Sequence, residues 1–157
     1  MNIELLVVGK TDSSTIEELV RLYQKRLSHY ANFSITTLPD IKRGGKLSAK
    51  QHRDAEADSL LSQMQPSDFV VLLDERGTQY SSMEFSQWLE KRMVSGVKRL
   101  LFVVGGPFGF AESVYQRANS KISLSRMTFT HQFIRVIFTE QLYRAFTILN
   151  NEPYHNE

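Results

Sequence analysis

The sequence predicts an α/β protein with a mostly parallel sheet of five or six strands and helices on both faces. Short runs of β-branched and other apolar residues alternate with longer segments whose apolar residues recur at helical spacing, a pattern typical of parallel sheets covered by helices. The chain has 157 residues and shows no repeat, low-complexity tract or linker. Residues 1–157 are therefore predicted to form a single domain.

Five short segments rich in β-branched and other apolar residues predict the strands. They are residues 3–8, 33–38, 69–73, 100–104 and 122–124.

Residues suited to capping mark the helices between these strands. Ser14 and Glu17 have the spacing of a capping box at the start of the first helix. Ser48 and Gln51 repeat this spacing at the second helix, which must stop before Pro66.

The remaining helices are a third that begins at Ser81 or Ser82, a short fourth over residues 112–118 and a long last helix over residues 131–150. The apolar side chains of the last helix point in every direction around the helical wheel, so this helix must be covered on all sides. A second subunit packed across a two-fold axis gives such coverage, and the sequence favours a homodimer. A central helix covered within the monomer is the alternative.

Composition and charge narrow the class of function. Apolar residues make up 41% of the chain, and 19 Lys and Arg against 17 Asp and Glu give a net charge of +2, with no cysteine. The lack of cysteine excludes disulfide scaffolds and thiolate chemistry, and the lack of a long apolar run excludes a membrane span. We therefore expect a soluble cytoplasmic protein. Two basic clusters suit a polyanion such as nucleic acid, one in residues 42–53 and one in residues 98–157.

A glycine-rich turn follows the fourth predicted strand. Gly105, Gly106 and Gly109 come directly after residues 100–104. In open α/β sheets ligands bind beyond the carboxyl ends of strands, where glycine lets them approach the backbone. The spacing is neither the dinucleotide fingerprint nor a P-loop, which excludes a nucleoside triphosphatase. On the motif alone, the segment is either a ligand loop or an ordinary tight turn.

A second candidate loop precedes the last helix. Residues 124–129 follow the fifth predicted strand and end before Thr130, a residue suited to an N-cap. Two neighbouring strand-end loops predict a cradle for a flat heterocycle, and a hydrophobic connection within the core is the alternative. His131 and Arg135, one helical turn apart, are candidates for holding an anion. The four histidines show no spacing typical of a metal site.

Several segments, taken together and in order, are similar to those of one protein family. They are Val8-Gly9-Lys10, Tyr23-Gln-Lys-Arg-Leu27, Leu73-Asp-Glu-Arg-Gly77, Phe102-Val-Val-Gly-Gly106, Ser123-Leu-Ser-Arg-Met-Thr-Phe129, Glu140-Gln-Leu-Tyr-Arg-Ala145 and Pro153-Tyr-His155. Across essentially the whole chain, the sequence resembles the RlmH family. These are small SPOUT-class methyltransferases that act on a pseudouridine of large-subunit ribosomal RNA.

The resemblance implies a trefoil knot in the C-terminal half, a homodimer, and S-adenosyl-L-methionine bound in the knot without a metal. It implies methyl transfer to N3 of a pseudouridine in 23S rRNA within the assembled ribosome. Thr130 stands where the family usually has proline, and no basic residue follows His155. The cofactor contacts that it implies fall at three strand ends, on Leu73, Gly105, Leu124, Ser125, Arg126, Met127, Thr128 and Phe129.

The implied reaction needs a proton acceptor and a positive charge, because pseudouridine N3 is a weak acid that must lose its proton. Arg135 or Arg126 is a candidate for the charge, and His131 or His155 for the proton acceptor. Tyr154 is a candidate for stacking on the target base. A non-catalytic ribosome-binding or assembly factor with the same fold is the alternative function, and a flavodoxin-like small-molecule binder is a third.

Overall fold

The computed structural model of the chain describes residues 1–41 and 46–156, so Lys42 and Arg43 of the first predicted basic cluster lie outside the described residues. Strands and helices alternate along the chain, as the sequence predicts. In chain order the elements are β1 (Asn2–Val8), α1 (Ser14–Leu27), β2 (Asn32–Leu38), α2 (Ala49–Ser62), β3 (Phe69–Gln79), α3 (Ser82–Val94), β4 (Arg99–Val104), α4 (Glu112–Arg117), β5 (Ser120–Ser123) and α5 (Phe133–Leu149). None of these described helices is long and apolar enough to cross a membrane.

The strands form a five-stranded sheet in the order β2-β1-β4-β3-β5. Neighbouring strands pair in parallel throughout the described sheet, which confirms the predicted architecture. The central strand is β4, where Leu100 lies opposite Ile3 of β1 and Phe69 of β3. Because parallel strands end at the same edge, the carboxyl ends of β1 and β4 lie side by side, next to Leu73 of β3, which pairs with Val104 at the end of β4. The C-terminal trefoil knot stays a prediction.

Helices cover both faces of the sheet, as predicted. Successive residues of a strand point to opposite faces, and in β1 Leu5 and Val7 pack in one core cluster whereas Leu6 and Val8 pack in the other. The first cluster also contains side chains of α1, α3 and α5, and the second contains side chains of α2 and α4. Apolar burial on both faces therefore fixes the position of the strand ends.

The capping prediction is confirmed at α2 and wrong at α1. The Ser48 side chain accepts the Gln51 N–H, and the Gln51 side chain accepts the Ser48 N–H, which is the predicted box. At α1 the N-cap is Ser13, whose backbone is extended, so Ser14 is already helical and does not form a box with Glu17. Glu17 remains in the first turn, where an acidic residue favours the helix dipole.

The third strand is longer than predicted. The sequence predicts it over residues 69–73, whereas β3 continues to Gln79. Its pairing with β5 shifts register between Leu73 and Thr78, so residues 74–77 form an irregularity between two paired stretches. Gly77 permits the close approach there, because a Cβ would lie 2.7 Å from the backbone of Ile122. Backbone pairing with β5 thus extends the strand beyond its apolar run.

The last helix begins two residues later than predicted, at Phe133. The N-cap is Gln132 and not Thr130 as expected, but Thr130 still binds the first turn: its Oγ1 accepts the Phe133 N–H at 3.1 Å, and its carbonyl accepts the Ile134 N–H at 3.1 Å. The helix packs against α1 and α3 and buries Phe138 and Leu142 completely. Helices of the same chain therefore cover part of the surface of α5, which agrees with the alternative of a central helix covered within the monomer. The homodimer stays a prediction.

Candidate functional site

A cleft of about 1020 Å³ opens at the carboxyl ends of β4 and β5 and beside residues 73–76 within β3. It is bounded by the segments that follow β4 and β5 and by the irregular middle of β3, which are far apart in the sequence. The predicted site residues that line it are Leu73, Gly105, Leu124, Ser125, Met127, Thr128, Phe129 and His131. The structure therefore brings both candidate loops and the end of the apolar run in β3 into one site.

The other predicted site residues are not among the described residues that line this cleft. They are Arg126, Arg135, Tyr154 and His155. Arg126 lies between two lining residues, Ser125 and Met127, and is exposed. Arg126 is therefore an exposed cation within the segment that borders the cleft.

Large apolar side chains are exposed around the cleft. The exposed fractions are 43% for Phe108, 79% for Met127 and 39% for Phe129. Covering exposed apolar groups of this size lowers the free energy of the system. The cleft therefore offers apolar walls to a flat ligand or to an apolar partner surface.

The glycine-rich loop is folded tightly against the protein. Gly106 and Gly109 form a backbone bridge, and Gly109 has a φ of +76°, which favours glycine. A Cβ on Gly105 would lie 3.1 Å from the ring of Phe110, and a Cβ on Gly106 would lie 2.4 Å from a carboxylate oxygen of Glu56. At Gly105 and Gly106 a side chain would meet the protein, so the loop consists of bare backbone at these two positions.

Glu56 of α2 does not line the cleft, but it contacts the glycine-rich loop that does, and the sequence analysis missed this contact. Its side chain is buried, and its Oε1 accepts the Gly106 N–H at 2.8 Å. Burial raises the pKa of Glu56, while the Gly106 hydrogen bond and the nearby His52 act in the opposite direction. A carboxylate in a polar helix gives no signal in the sequence of being buried by a distant loop.

The wall formed by β3 carries a second cluster that the sequence analysis did not assign to the site. Asp74 accepts the backbone N–H of Arg76 at 2.8 Å and also accepts the hydroxyl of Tyr115. Arg76 donates to the same hydroxyl at 3.2 Å. Burial and the bond to Asp74 raise the pKa of Tyr115, so its hydroxyl keeps its proton and remains a donor.

Short polar contacts fix the loop before α5. The Ser123 hydroxyl donates to the Ser125 carbonyl at 2.9 Å, and the Ser125 Oγ accepts the Met127 N–H at 2.9 Å. Gln132 connects this loop to the end of β1, because its side chain accepts the Asp12 N–H at 3.2 Å and donates to the Lys10 carbonyl at 3.0 Å. The loop conformation is therefore set by hydrogen bonds within the protein.

Arg135 does not point into the cleft, although it lies one turn from His131. It is 2% exposed, and its guanidinium donates to the carbonyls of His131 at 3.1 Å and Val8 at 3.0 Å and to Thr11 Oγ1 at 3.1 Å. Burial lowers the pKa of Arg135. These contacts join the end of β1 to the start of α5.

Tyr154 and His155 pack against the far half of α5 in their own chain. The Tyr154 hydroxyl donates to Glu140 Oε1 at 3.0 Å, and Arg144 Nη1 lies 3.2 Å from His155 Nδ1. Burial and the bond to Glu140 raise the pKa of Tyr154. The Arg144 guanidinium lies 4.9 Å from the centre of the Tyr154 ring. The tail therefore forms a fixed polar cluster away from the cleft of the same chain.

No group of three His, Asp or Glu side chains in residues 1–41 and 46–156 is arranged to hold a metal ion. The polar groups around the cleft are instead mostly engaged with one another and with the backbone.

Comparison with known proteins agrees with the architecture. A family model described as "Predicted SPOUT methyltransferase" matches residues 1–155. The chain is 56% identical over 156 residues to the Ribosomal RNA large subunit methyltransferase H of Christiangramia forsetii, covering 99% of each chain. It is 55% identical to the protein of the same name from Porphyromonas gingivalis and 50% identical to the one from Flavobacterium johnsoniae, over the full length of all three chains.

Proposed function

This chain belongs to the SPOUT methyltransferase family, and on that premise we propose that it methylates N3 of a pseudouridine in 23S rRNA on the assembled ribosome, with S-adenosyl-L-methionine as the methyl donor. Full-length relatives named as large-subunit rRNA methyltransferases support the substrate class. The observation that carries the proposal is the convergence on one cleft of the middle of β3 and of the segments that follow β4 and β5. Such a function belongs in the cytoplasm, with the ribosome.

The cleft fits the proposed methyl donor. Its volume of about 1020 Å³ is at the upper end of ordinary ligand pockets, which range from about 300 to 1,000 Å³. Gly105 offers backbone without a side chain, and Leu73 and Leu124 offer apolar surface to a heterocycle. In our proposal these residues, together with 125–129, bind the cofactor. When it is bound, S-adenosyl-L-methionine supplies an electrophilic methyl group on its sulfonium.

The proposed role of the protein in the chemical step is positioning, desolvation and charge. Arg126 is exposed next to the cleft-lining Ser125, so we assign it the positive charge that stabilises the deprotonated base. Arg135 is buried with protein acceptors, which favours a positioning role for it. His131 lines the cleft and is our candidate for the proton acceptor within the same chain.

Tyr154 and His155 can take part only across a homodimer in this arrangement, because they lie away from the cleft of their own chain. We propose that the partner subunit's Tyr154 and the partner subunit's His155 complete the site. A composite site of this kind agrees with the apolar side chains exposed around the cleft, such as Phe108 and Met127.

Two measurements test the proposal. Calorimetry should detect binding of S-adenosyl-L-methionine to the wild-type protein, and Gly105→Val should abolish it because the added side chain extends beyond the Cβ that already lies 3.1 Å from Phe110. Val94→Ala, at a site that is 81% exposed, is the control and should bind normally. Mass-spectrometric mapping of 23S rRNA from cells that lack the protein should show the loss of one methyl group. Cofactor binding without any missing methyl group, or no binding at all, would favour a non-catalytic ribosome-binding factor.

A further inference from the structure

The glycine-rich loop is attached to α2 through a buried carboxylate. Glu56 is 2% exposed, and its Oε2 lies 2.4 Å from where a Cβ on Gly106 would be, so only glycine at position 106 leaves room for the carboxylate. Its Oε1 accepts the Gly106 N–H at 2.8 Å. Burying a carboxylate costs free energy unless it accepts hydrogen bonds. The hydrogen bond from Gly106 offsets part of this cost, so the loop and the carboxylate stabilise each other.

The hydrogen bond fixes more than one atom of the loop. The described backbone has no cis peptide bonds, and in a trans peptide the N–H and the preceding C=O point in opposite directions. When Glu56 accepts the Gly106 N–H, the Gly105 carbonyl is therefore directed away from α2. Gly105 and Gly106 both line the cleft, so the orientation of this peptide shapes the surface that a ligand meets.

A second residue of α2 supports the outer part of the same loop. The His52 ring packs edge-on against Phe108, with 5.2 Å between the ring centres. His52 Nδ1 also lies 3.8 Å from Glu56 Oε2. These residues are one helical turn apart on α2 and thus contact the loop at two points. Two further charged or titratable groups act on the pKa of Glu56: Asp40 raises it and His131 lowers it.

We infer that Glu56 is a positioning residue: it orients the loop of residues 105–109 so that its backbone can receive the methyl donor, with His52 as its support. This inference rests on the proposed function for the identity of the ligand. The orientation of the loop itself can be measured without any ligand.

The test compares four variants by calorimetry with S-adenosyl-L-methionine and by hydrogen exchange of residues 104–110. Glu56→Ala removes the acceptor, and we expect about 10-fold weaker binding, the size of effect typical of one lost charge-assisted hydrogen bond. Exchange in residues 104–110 should become faster. Glu56→Gln keeps an oxygen that can accept the Gly106 N–H, so it should restore most of the affinity. Asp58→Ala, an exposed carboxylate on the same helix, is the matched control and should match the wild type.

Glu56→Asp provides a second version of the test if the Ala variant does not fold. It keeps the charge but shortens the side chain by one methylene, and we expect faster exchange in residues 104–110 together with weaker binding. Wild-type affinity and wild-type exchange in the Ala or Asp variant would overturn the inference. So would a Gln variant as impaired as the Ala variant, because charge rather than loop geometry would then be responsible. If the wild-type protein itself did not bind the donor, the proposed function would fail, and the exchange data would still decide the role of Glu56.

Discussion

Replacing Arg135 by methionine should lower the free energy of unfolding of the protein. We expect this loss to be the main effect of the substitution, larger than its effect on any single step of the reaction. The side chain is 2% exposed and makes three hydrogen bonds, to the carbonyls of Val8 and His131 and to Thr11 Oγ1. Methionine fills much of the volume but leaves these acceptors without their charged donor. Each lost bond costs about 1.5 kcal/mol, and relief from burying a guanidinium returns part of the sum. We therefore expect a net loss of about 3 kcal/mol.

Urea denaturation of the wild type and the Arg135→Met variant measures this difference directly. For a chain of this size, about 3 kcal/mol corresponds to a melting temperature lower by roughly 6 to 12 °C. Arg126→Met is the matched control, since Arg126 is exposed, and its unfolding free energy should change by less than about 0.5 kcal/mol. A loss below about 1 kcal/mol at Arg135, combined with collapsed methyl transfer, would refute the reasoning and assign the Arg135 guanidinium to the substrate.

Three further outcomes are expected. Burial raises the pKa of Glu56 above its ordinary value of 4.5, so the folded state binds this proton more tightly than the unfolded state and loses stability as pH rises through the folded pKa. Glu56→Gln cannot titrate, so in thermal melts its stability relative to wild type should increase from pH 4 to pH 8, and a constant difference would contradict the burial argument. Asp68→Ala should cost about 3 kcal/mol in urea denaturation, because it removes a side chain that is 1% exposed and accepts from Arg99 at 2.8 Å, yet calorimetry should show unchanged donor affinity. Mixing inactive Gly105→Val with inactive His155→Ala should restore some methyl transfer if the site is shared between subunits, and the absence of rescue would argue against sharing.

The sequence was sufficient for the parts of the fold that depend on local patterns. Apolar runs located the strands, and the spacing of Ser48 and Gln51 located the start of α2. Glycine after a buried strand drew attention to Gly105, which lines the cleft, and its contact with a cofactor stays a prediction. These features follow from backbone conformation and side-chain polarity, which are properties of neighbouring residues.

The sequence was insufficient where tertiary contacts decide. β3 continues past its apolar run because β5 pairs with its polar part, and only the pairing reveals this. Glu56 supports the glycine-rich loop because Gly106, 50 residues away, donates to it. Arg135 contacts the carbonyl of His131, as its helical spacing predicts, but its guanidinium also reaches back to Val8 and does not enter the cleft. In each case the partner is distant along the chain, and local spacing carries no information about it.

The central place of β4 has a consequence for how the chain folds as it is synthesised. β1 and β2 pair with each other early, but the other side of β1 pairs only with β4, where Asn2 meets Arg99. β3 depends on the same strand. Long-range parallel pairing forms slowly and leaves unpaired strand edges exposed in the meantime. A nascent chain that has not yet reached residue 99 therefore consists of two unjoined halves, and we expect ribosome-bound chains of this length to be sensitive to proteases and to bind chaperones.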